Sequence, residues 1–363
     1  MGRKIIPENT QRTPWPRALT ISLLATTIVT LALLAFSWPT VTSEPKDVPV
    51  DVVAEQQAFD ALTQQAGEES PFLFNRVDSQ EEATAHIQQR ESYGALVLPA
   101  QPGQSLEILT APAANNAITQ MLTTAGTGMY RAQIGTALAS GQVTDPQALT
   151  ALTQQALEGP TITAVAPLSQ DDPQGAGLGV AALPLTLGGI IGGVLISFTV
   201  RGAWRKLGAL VVYAAAAAGM ILLVLHTWFA LLPTASLALW AAFALSIGAT
   251  SSLVIGLHSL LGTPGIALGA ITTMFIGNPI SGSAMPFEFL PWHFDVIGQS
   301  FVPGATQVLL RNLSYFPEAS NTSAWIALTC WAGFGLLCLA ASQLRKPKED
   351  NAAEVETTVE AAA

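Results

Sequence analysis

The chain has 363 residues, half of them hydrophobic and only 11% charged, and its net charge is −10. A soluble protein carries about a quarter charged residues. Because the apolar residues form long blocks, the composition excludes an ordinary soluble protein and predicts an integral membrane protein.

The first predicted element is an apolar run over residues 18–38, which a group of basic residues precedes. A cleaved signal peptide has an apolar region of about 7–15 residues followed by a small-residue cleavage site. This run is longer and no clear site follows it, which favours an uncleaved transmembrane helix 1. Residues 1–17 are then predicted to be a cytoplasmic N-terminus.

Residues 39–176 alternate between strand and helix patterns, which predicts an inserted α/β domain. Ser79 and Glu82 have the spacing of a helix-capping box, and Asp145 before Pro146 marks another helix start. A turn is predicted at 100–104. The predicted strands are residues 48–53, 72–77, 93–99, 105–112 and 161–167. The predicted helices are 55–67, 78–90, a long one that includes 118–132, and one that begins at 145–146.

The predicted α/β domain is strongly acidic, with 16 acidic and 4 basic residues. An acidic surface argues against nucleic acid and against anionic lipid headgroups as partners. Long domains cross the membrane largely regardless of their charge, so this composition is compatible with an extracytoplasmic domain.

Five further apolar runs follow the domain, and each approaches the ~20 residues that cross a bilayer. Their predicted bounds are 178–200, 207–225, 237–257, 265–285 and 324–343. Basic residues cluster before the first span, between the second and third, and after the sixth, so the positive-inside rule places all three clusters in the cytoplasm. Six crossings satisfy this placement and five do not.

The sequence therefore predicts a multi-pass protein of the cell membrane, with both termini in the cytoplasm and residues 39–176 outside the cell. Transmembrane helices 2–6 lie within residues 177–343. The acidic, alanine-rich tail 344–363 is predicted to be disordered and cytoplasmic.

The stretch "GNPISGSAMPFEFLPWHFDVIGQSFVPGATQVLLRN", residues 277–312, is too apolar for a surface loop and too interrupted by proline for an ordinary span. We predict that it completes the fifth crossing and then forms a broken re-entrant hairpin, an external segment over about 278–320, because irregular backbone at membrane depth needs cover from protein or a cavity. The candidate residues of this cap are Asn278, Pro279, Gly282, Pro286, Glu288, Pro291, Asp295, Pro303, Gly304 and Arg311.

Three details of the cap follow from its composition. Its aromatic rings are expected at the membrane interface, and Glu288 and Asp295 are expected to face water or a cavity mouth. A short helix after Pro303 is expected to lie along the outer surface or dip into it, with Arg311 on its polar side. A cap with a functional role and a merely structural lid are equal alternatives at this point.

The predicted fold class is an α-helical polytopic membrane protein with six transmembrane helices and a re-entrant hairpin, plus an inserted extracytoplasmic α/β domain.

The second span contains "LGGIIGGVL", which holds two overlapping Gly-x-x-x-Gly pairs. Such pairs let membrane helices approach closely, either within one bundle or at the face of a homodimer, and the sequence favours neither. The helix-packing candidates are Gly188, Gly189, Gly192 and Gly193.

Motifs for catalysis and cofactor binding are absent from the sequence. It contains no Gly-Lys pair for a phosphate loop, no Gly-x-Ser-x-Gly, no His-Glu-x-x-His and no Cys-x-x-Cys, and its four histidines are dispersed. The predicted spans hold no Asp, Glu, Lys or Arg, whereas ion-coupled transporters need such groups inside the bilayer. We therefore predict no enzyme, no cofactor and no metal, and any transport must draw its energy from another chain.

One N-terminal span, a large external domain and five further spans resemble ABC-2-type export permeases, and more narrowly the YhgE/Pip (phage infection protein) branch of actinobacterial type. The resemblance implies a permease subunit that forms the translocation path as a homodimer and is powered by a separate ABC ATPase. Between spans two and three, where such permeases usually offer a coupling helix, this chain has only "VRGAWRKLG". The stretches that carry the resemblance are 79–83 with 94–99, 166–185, and the motifs at 278–282, 290–294 and 303–305.

A second class of function stays open on the sequence alone. The chain is then a non-transporting cell-envelope receptor or scaffold, like a phage infection protein, whose external α/β domain binds a partner. An enzyme is disfavoured because the acidic residues of the domain are scattered, as on a solvated surface.

Overall fold

The computed structural model describes residues 14–67, 69–99, 105–139, 145–283 and 285–344. Three predictions fall outside these residues: the basic cluster before Arg17, the turn at 100–104, and the tail after Leu344.

The first helix, α1, runs from Trp15 to Thr42 and is exposed along most of its apolar length. Its hydroxyl groups turn back onto the helix: Thr26 Oγ1 donates to the carbonyl of Ser22 and Thr30 Oγ1 to that of Thr26, both at 2.9 Å. Because these hydroxyl groups are satisfied within the helix, α1 presents a mainly apolar surface, as a helix in lipid requires.

After α1 the chain forms a domain around one five-stranded mixed sheet, which we call the sheet domain. Its elements are β1 (Val48–Val53), α2 (Gln56–Ala66), β2 (Phe72–Val77), α3 (Gln80–Gln89), β3 (Gly94–Val97), β4 (Glu107–Thr110), α4 (Asn116–Ala139), α5 (Pro146–Glu158) and β5 (Thr161–Ala164). The strand order is β2-β1-β3-β4-β5, and only the β3–β4 pair is antiparallel. Each parallel pair is joined by helices, because a parallel connection must cross over the sheet.

Local signals set the bounds of these elements. The β-branched Val48, Val50 and Val52 of β1 point to the same face of the sheet and are fully buried, so this face packs in the core of the domain. Ser79 Oγ accepts a hydrogen bond from the N–H of Glu82 at 3.1 Å, so the predicted cap of α3 is confirmed. Asp145 caps α5 in the same way, through the N–H of Gln147 at 3.0 Å.

One carboxyl group lies inside the sheet domain. Asp51 on β1 is 1% exposed, and its Oδ2 lies 2.9 Å from Nδ1 of His86 on α3. Burial raises the pKa of Asp51, while the hydrogen bond and the charge of His86 oppose that shift. The pair joins α3 to the sheet.

The remaining helices form a bundle. They are α6 (Ala176–Thr199), α7 (Ala203–Leu222) with a π-helical turn (Leu223–Trp228), α8 (Leu237–Leu261), α9 (Thr263–Ala270) with a π-helical turn (Ile271–Gly277), α10 (Phe294–Gln299), α11 (Val302–Tyr315) and α12 (Thr322–Leu344). Among the described residues, five helices are long and apolar enough to cross a membrane: α1, α6, α7 with its π turn, α8 and α12.

The predicted fifth span differs from the observed helix. We expected it to extend to residue 285, but α9 with its π turn ends at Gly277, which gives a length of about 22 Å. Asn278 and Pro279 begin a series of turns, because proline lacks the N–H that would continue the helical bonding.

Helix α8 lies at the centre of the bundle, and glycines bring its neighbours close. A Cβ on Gly189 would lie 2.5 Å from Thr250 Cβ, and one on Gly193 would lie 2.8 Å from Val254 Cβ, so α6 packs directly on α8. A Cβ on Gly192 would overlap the ring of Tyr213 on α7. The hydroxyl of that tyrosine donates to the carbonyl of Gly188 at 2.6 Å. Both glycine pairs therefore make contacts within one chain.

We expected α11 to lie along the outer surface or to dip into it, and its burial contradicts the first of these two alternatives. Most of its residues are buried, and it packs between α6, α8 and α12. Thr306 Oγ1 lies 2.7 Å from Ser246 Oγ of α8. The small residues at its start explain the burial, because a Cβ on Gly304 would overlap the carbonyl of Gly298.

Candidate functional site

The candidate functional site is the surface where the sheet domain meets the bundle, which we call the junction. The end of α3, the start of β3 and the turn before α4 contribute Arg90, Tyr93 and residues 113–115. The bundle contributes the cap segment, residues 278–299, and the last turns of α11. Three polar contacts hold these parts together.

The first contact joins Tyr93 to Glu288. The buried Tyr93 hydroxyl donates to Glu288 Oε1 at 2.6 Å, while Glu288 Oε2 has no hydrogen-bond partner among the described residues. Burial raises the pKa of Glu288, and the Tyr93 bond opposes this shift. Burial and the Glu288 carboxylate raise the pKa of Tyr93 well above its ordinary 10, so the phenol keeps the proton it donates. We expected Glu288 to face water or a cavity mouth, but its Oε1 accepts the Tyr93 hydroxyl and its Oε2 is buried.

The second contact joins Arg90 to α11. Arg90 Nη1 donates to Asn312 Oδ1 at 2.7 Å, and the guanidinium lies 5.6 Å from the centre of the Phe316 ring. Such a cation–π contact adds about 0.5–1 kcal/mol or more. Arg90 ends α3 with φ of 61°, a left-handed conformation that costs a non-glycine residue about 1–2 kcal/mol. The side-chain contacts offset this cost.

The third contact joins α11 to the start of α4. Arg311 Nη1 donates to the carbonyl oxygens of Ala113, at 3.3 Å, and Ala114. The same turn is held by Asn115, whose Oδ1 caps α4 by accepting from the N–H of Ala117 at 2.9 Å. We expected Arg311 on a polar helix face. It lies instead under the sheet domain, because backbone carbonyls there accept its hydrogen bonds.

A cavity of about 620 Å³ opens beside the junction. Phe36 of α1, the turn at 112–117, the segment 168–183 and the first part of the cap segment form its walls, together with α11. This volume and its mixture of apolar walls with a few polar groups are typical of a small-molecule site.

The predicted cap residues divide between this cavity and its surroundings. Asn278, Pro279, Gly282 and Arg311 line the cavity. Pro286 lines a smaller recess of about 20 Å³, which shares Arg311 and Gly282 with the cavity.

The other cap residues support the segment. Pro291 lies in the turn before α10, and Pro303 and Gly304 form the first turn of α11. Asp295 was expected to face water or a cavity mouth, but its Oδ1 is buried without a hydrogen-bond partner among the described residues. Glu288 lies in the same segment, and the negative charge of Asp295 helps to raise the pKa of Glu288.

Sequence reasoning missed Arg90, Tyr93 and Asn312 as junction residues. Their partners lie far away in the chain, 222 residues from Arg90 and 195 residues from Tyr93. No local pattern predicts a contact over such a separation, so only the folded arrangement reveals it.

The fold and the junction define a class: a multi-pass membrane protein with a sheet domain inserted after its first helix. The family model described as ABC-2 family transporter protein matches residues 17–201, from α1 through the sheet domain and α6. The chain belongs to this family and is a membrane permease component of an ABC-2 transporter; such components are transporters, not enzymes. The family match does not favour the receptor or scaffold alternative. The chain matches no curated protein and no solved structure.

Proposed function

We propose that this chain is the membrane half of an exporter, that two copies form the translocation path, and that a separate ABC ATPase supplies the energy. Family membership is the observation that carries the proposal. It is supported by the absence of Asp, Glu, Lys and Arg from α6, α8, α9 and α12, since a carrier driven by ions needs charged groups inside the bilayer.

Six crossings with a re-entrant hairpin form part of this proposal. Besides the five long helices, α9 with its π turn would cross, and α10 with α11 would enter and leave the bundle from the same side. Ser246, which contacts α11, lies about 13 Å along α8 from the first residue of that helix. At the other end of α11, the Tyr315 hydroxyl donates to the carbonyl of Leu231, just before α8 begins. These contacts support a helix that starts at depth and ends beside the sheet domain.

The proposed orientation places the sheet domain outside and the "VRGAWRKLG" loop in the cytoplasm. Single cysteines test it in a background where Cys330 and Cys338 are serine. Trp292 in the cap segment is 76% exposed, and Trp204 at the start of α7 is 85% exposed. An impermeant thiol reagent applied to intact cells is expected to label Trp292→Cys and not Trp204→Cys. The reverse pattern would refute the orientation.

The proposed contact with the ATPase is the cytoplasmic loop before α7. Three side chains are exposed there: Arg201, Trp204 and Arg205. The N-terminus of α7 beside them has no side-chain capping hydrogen bond. We expect an ABC ATPase to be recovered when the full chain is crosslinked and purified from its native membranes, and Trp204→Ala to reduce that recovery. Trp228→Ala is the matched control, because Trp228 is 76% exposed at the opposite end of α7. Repeated failure to recover any ATPase with the unaltered chain would refute the proposal.

Two narrower statements belong to the same proposal. The homodimer is tested by the mass of the particle in a lipid nanodisc, where a single copy would contradict it. Membership of the YhgE/Pip branch is supported by the motifs at 278–282, 290–294 and 303–305, which lie beyond the stretch that the family model matches.

A further inference from the structure

Two arginines meet at the junction without a carboxylate to pair with. Among the described residues no acidic oxygen lies within 4 Å of a nitrogen of Arg90 or Arg311. Both arginines line the small recess beside the cavity. The nearby carboxylate of Glu288 already accepts the Tyr93 hydroxyl. The charge of the Glu288 carboxylate acts on both guanidinium groups but forms no salt bridge with either, so two cations share one nearby counter-charge and this place favours an added negative charge.

Several hydrogen-bond donors on the cavity wall are unused. Only Nη1 of Arg311 has protein acceptors, which leaves the N–H groups on Nε and Nη2 without partners among the described residues. Asn115 uses its Oδ1 to cap α4, so its amide N–H groups remain as donors. Asn278 is only 6% exposed and lines the cavity, and its side-chain amide has no partner among the described residues.

Part of the cavity wall is apolar. It is formed by Phe36 from α1 and by Leu178, Ala182 and Leu183 from α6. Leu183 is 43% exposed, so this wall continues onto the lipid-facing surface of the bundle. Asp172 also lines the cavity, but its Oδ2 accepts from the N–H of Gly177 at 2.8 Å, which holds the carboxylate at the start of α6.

We propose that this cavity binds an amphipathic anion, with a phosphate or carboxylate group at Arg311, Asn115 and Asn278 and an apolar part against Phe36 and α6. The inference rests on the proposed exporter function in one respect, namely that this anion is a molecule that the permease handles.

Binding is tested with the full chain in a neutral detergent, by the midpoint of thermal unfolding followed through tryptophan fluorescence. Octyl phosphate is expected to raise the midpoint, because a ligand that binds only the folded state stabilises it. Inorganic phosphate should bind about tenfold more weakly or worse, since it lacks the apolar part. Octyltrimethylammonium should give no rise, since its charge has the wrong sign.

Two variants locate the site. Arg311→Gln is expected to weaken octyl phosphate binding by about tenfold or more. Because this change also removes a junction contact, Gly179→Leu provides a second route. A Cβ there lies 3.5 Å from the nearest atom, the Ser283 carbonyl oxygen, and Gly179 lines the cavity, so the longer side chain is expected to occupy part of it. Gly208→Leu is the matched control, because nothing lies within 4 Å of a Cβ at that position.

The outcomes separate this inference from the proposed function. Unchanged octyl phosphate binding in Gly179→Leu, or equal stabilisation by octyltrimethylammonium, would overturn the inference even if an ATPase copurifies. Anion binding without any recovered ATPase would leave the site standing and refute the exporter. Phosphatidylglycerol distinguishes the source: if it stabilises the chain and octyl phosphate then adds nothing, the anion is a lipid headgroup, and if only octyl phosphate acts, it is a soluble molecule.

Discussion

Removing one hydroxyl group tests the contact between the sheet domain and the cap segment. Tyr93→Phe deletes the donor of the 2.6 Å bond to Glu288 Oε1 and leaves the ring in place. Hydrogen bonds to charged groups contribute about 1.5–3 kcal/mol. The loss is expected in full, because Glu288 is half-buried and its Oε2 already lacks a partner among the described residues.

This energy sets how often the junction opens. Since about 1.4 kcal/mol is a factor of ten, Tyr93→Phe should make opening roughly ten to a hundred times more frequent. Hydrogen exchange of the cap segment measures it, at the amides of Phe289 and Leu290, whose N–H groups donate to the carbonyls of Pro286 and Phe287 at 3.1 Å. Their exchange should accelerate by the same factor in nanodiscs at neutral pH.

A second tyrosine supplies the matched control. Tyr130 of α4 is also buried, but its hydroxyl has no hydrogen-bond partner among the described residues. Tyr130→Phe should therefore leave the cap segment unchanged and be neutral for stability. Unchanged exchange in Tyr93→Phe, or equal acceleration in both variants, would refute the reasoning about this bond.

Two further predictions concern charge and packing. Burial raises the pKa of Glu288 above its ordinary 4.5, so the folded state holds that proton more tightly than the unfolded state does. Thermal stability should therefore fall as the pH rises from 4.5 through the raised pKa, and Glu288→Gln should flatten this dependence; an equal slope in both proteins would contradict it. In the bundle, a Cβ on Gly256 of α8 would overlap the carbonyl of Gly335 on α12, so Gly256→Ala should cost about 1–3 kcal/mol in unfolding measurements. Gly208→Ala is the control, because no atom lies within 4 Å of a Cβ at that position. Equal unfolding midpoints in the two variants would argue against the close contact between α8 and α12.

Periodicity and capping patterns predicted the local elements well. The strands beginning at Val48 and Phe72, the cap at Ser79 and the helix start at Pro146 all appear in the structure. These features depend on neighbours a few residues apart, so a single sequence is enough to find them. Five of the predicted apolar runs also became helices long enough to cross a membrane, because length and hydropathy alone decide that property.

The cap segment shows where local patterns stop being informative. Its prolines correctly predicted a broken stretch from residue 278 onward, whereas Glu288 was expected to face water or a cavity mouth and α11 to lie along the outer surface or dip into it. Both expectations assumed that a polar or amphipathic segment next to a membrane faces solvent. In the structure the sheet domain covers this segment, and Tyr93 gives the carboxylate a buried partner.

The sequence alone determined that this chain is a membrane protein and where most of its helices and strands lie. Only the tertiary structure decided which surfaces meet. Gly189 and Gly193 pack against α8 of the same chain, and Arg311 binds carbonyls nearly 200 residues earlier in sequence, at separations of 197 and 198. The physical reason is that helix and strand formation depend on short-range spacing, whereas the partner of a buried charge is set by whichever distant backbone the fold brings beside it.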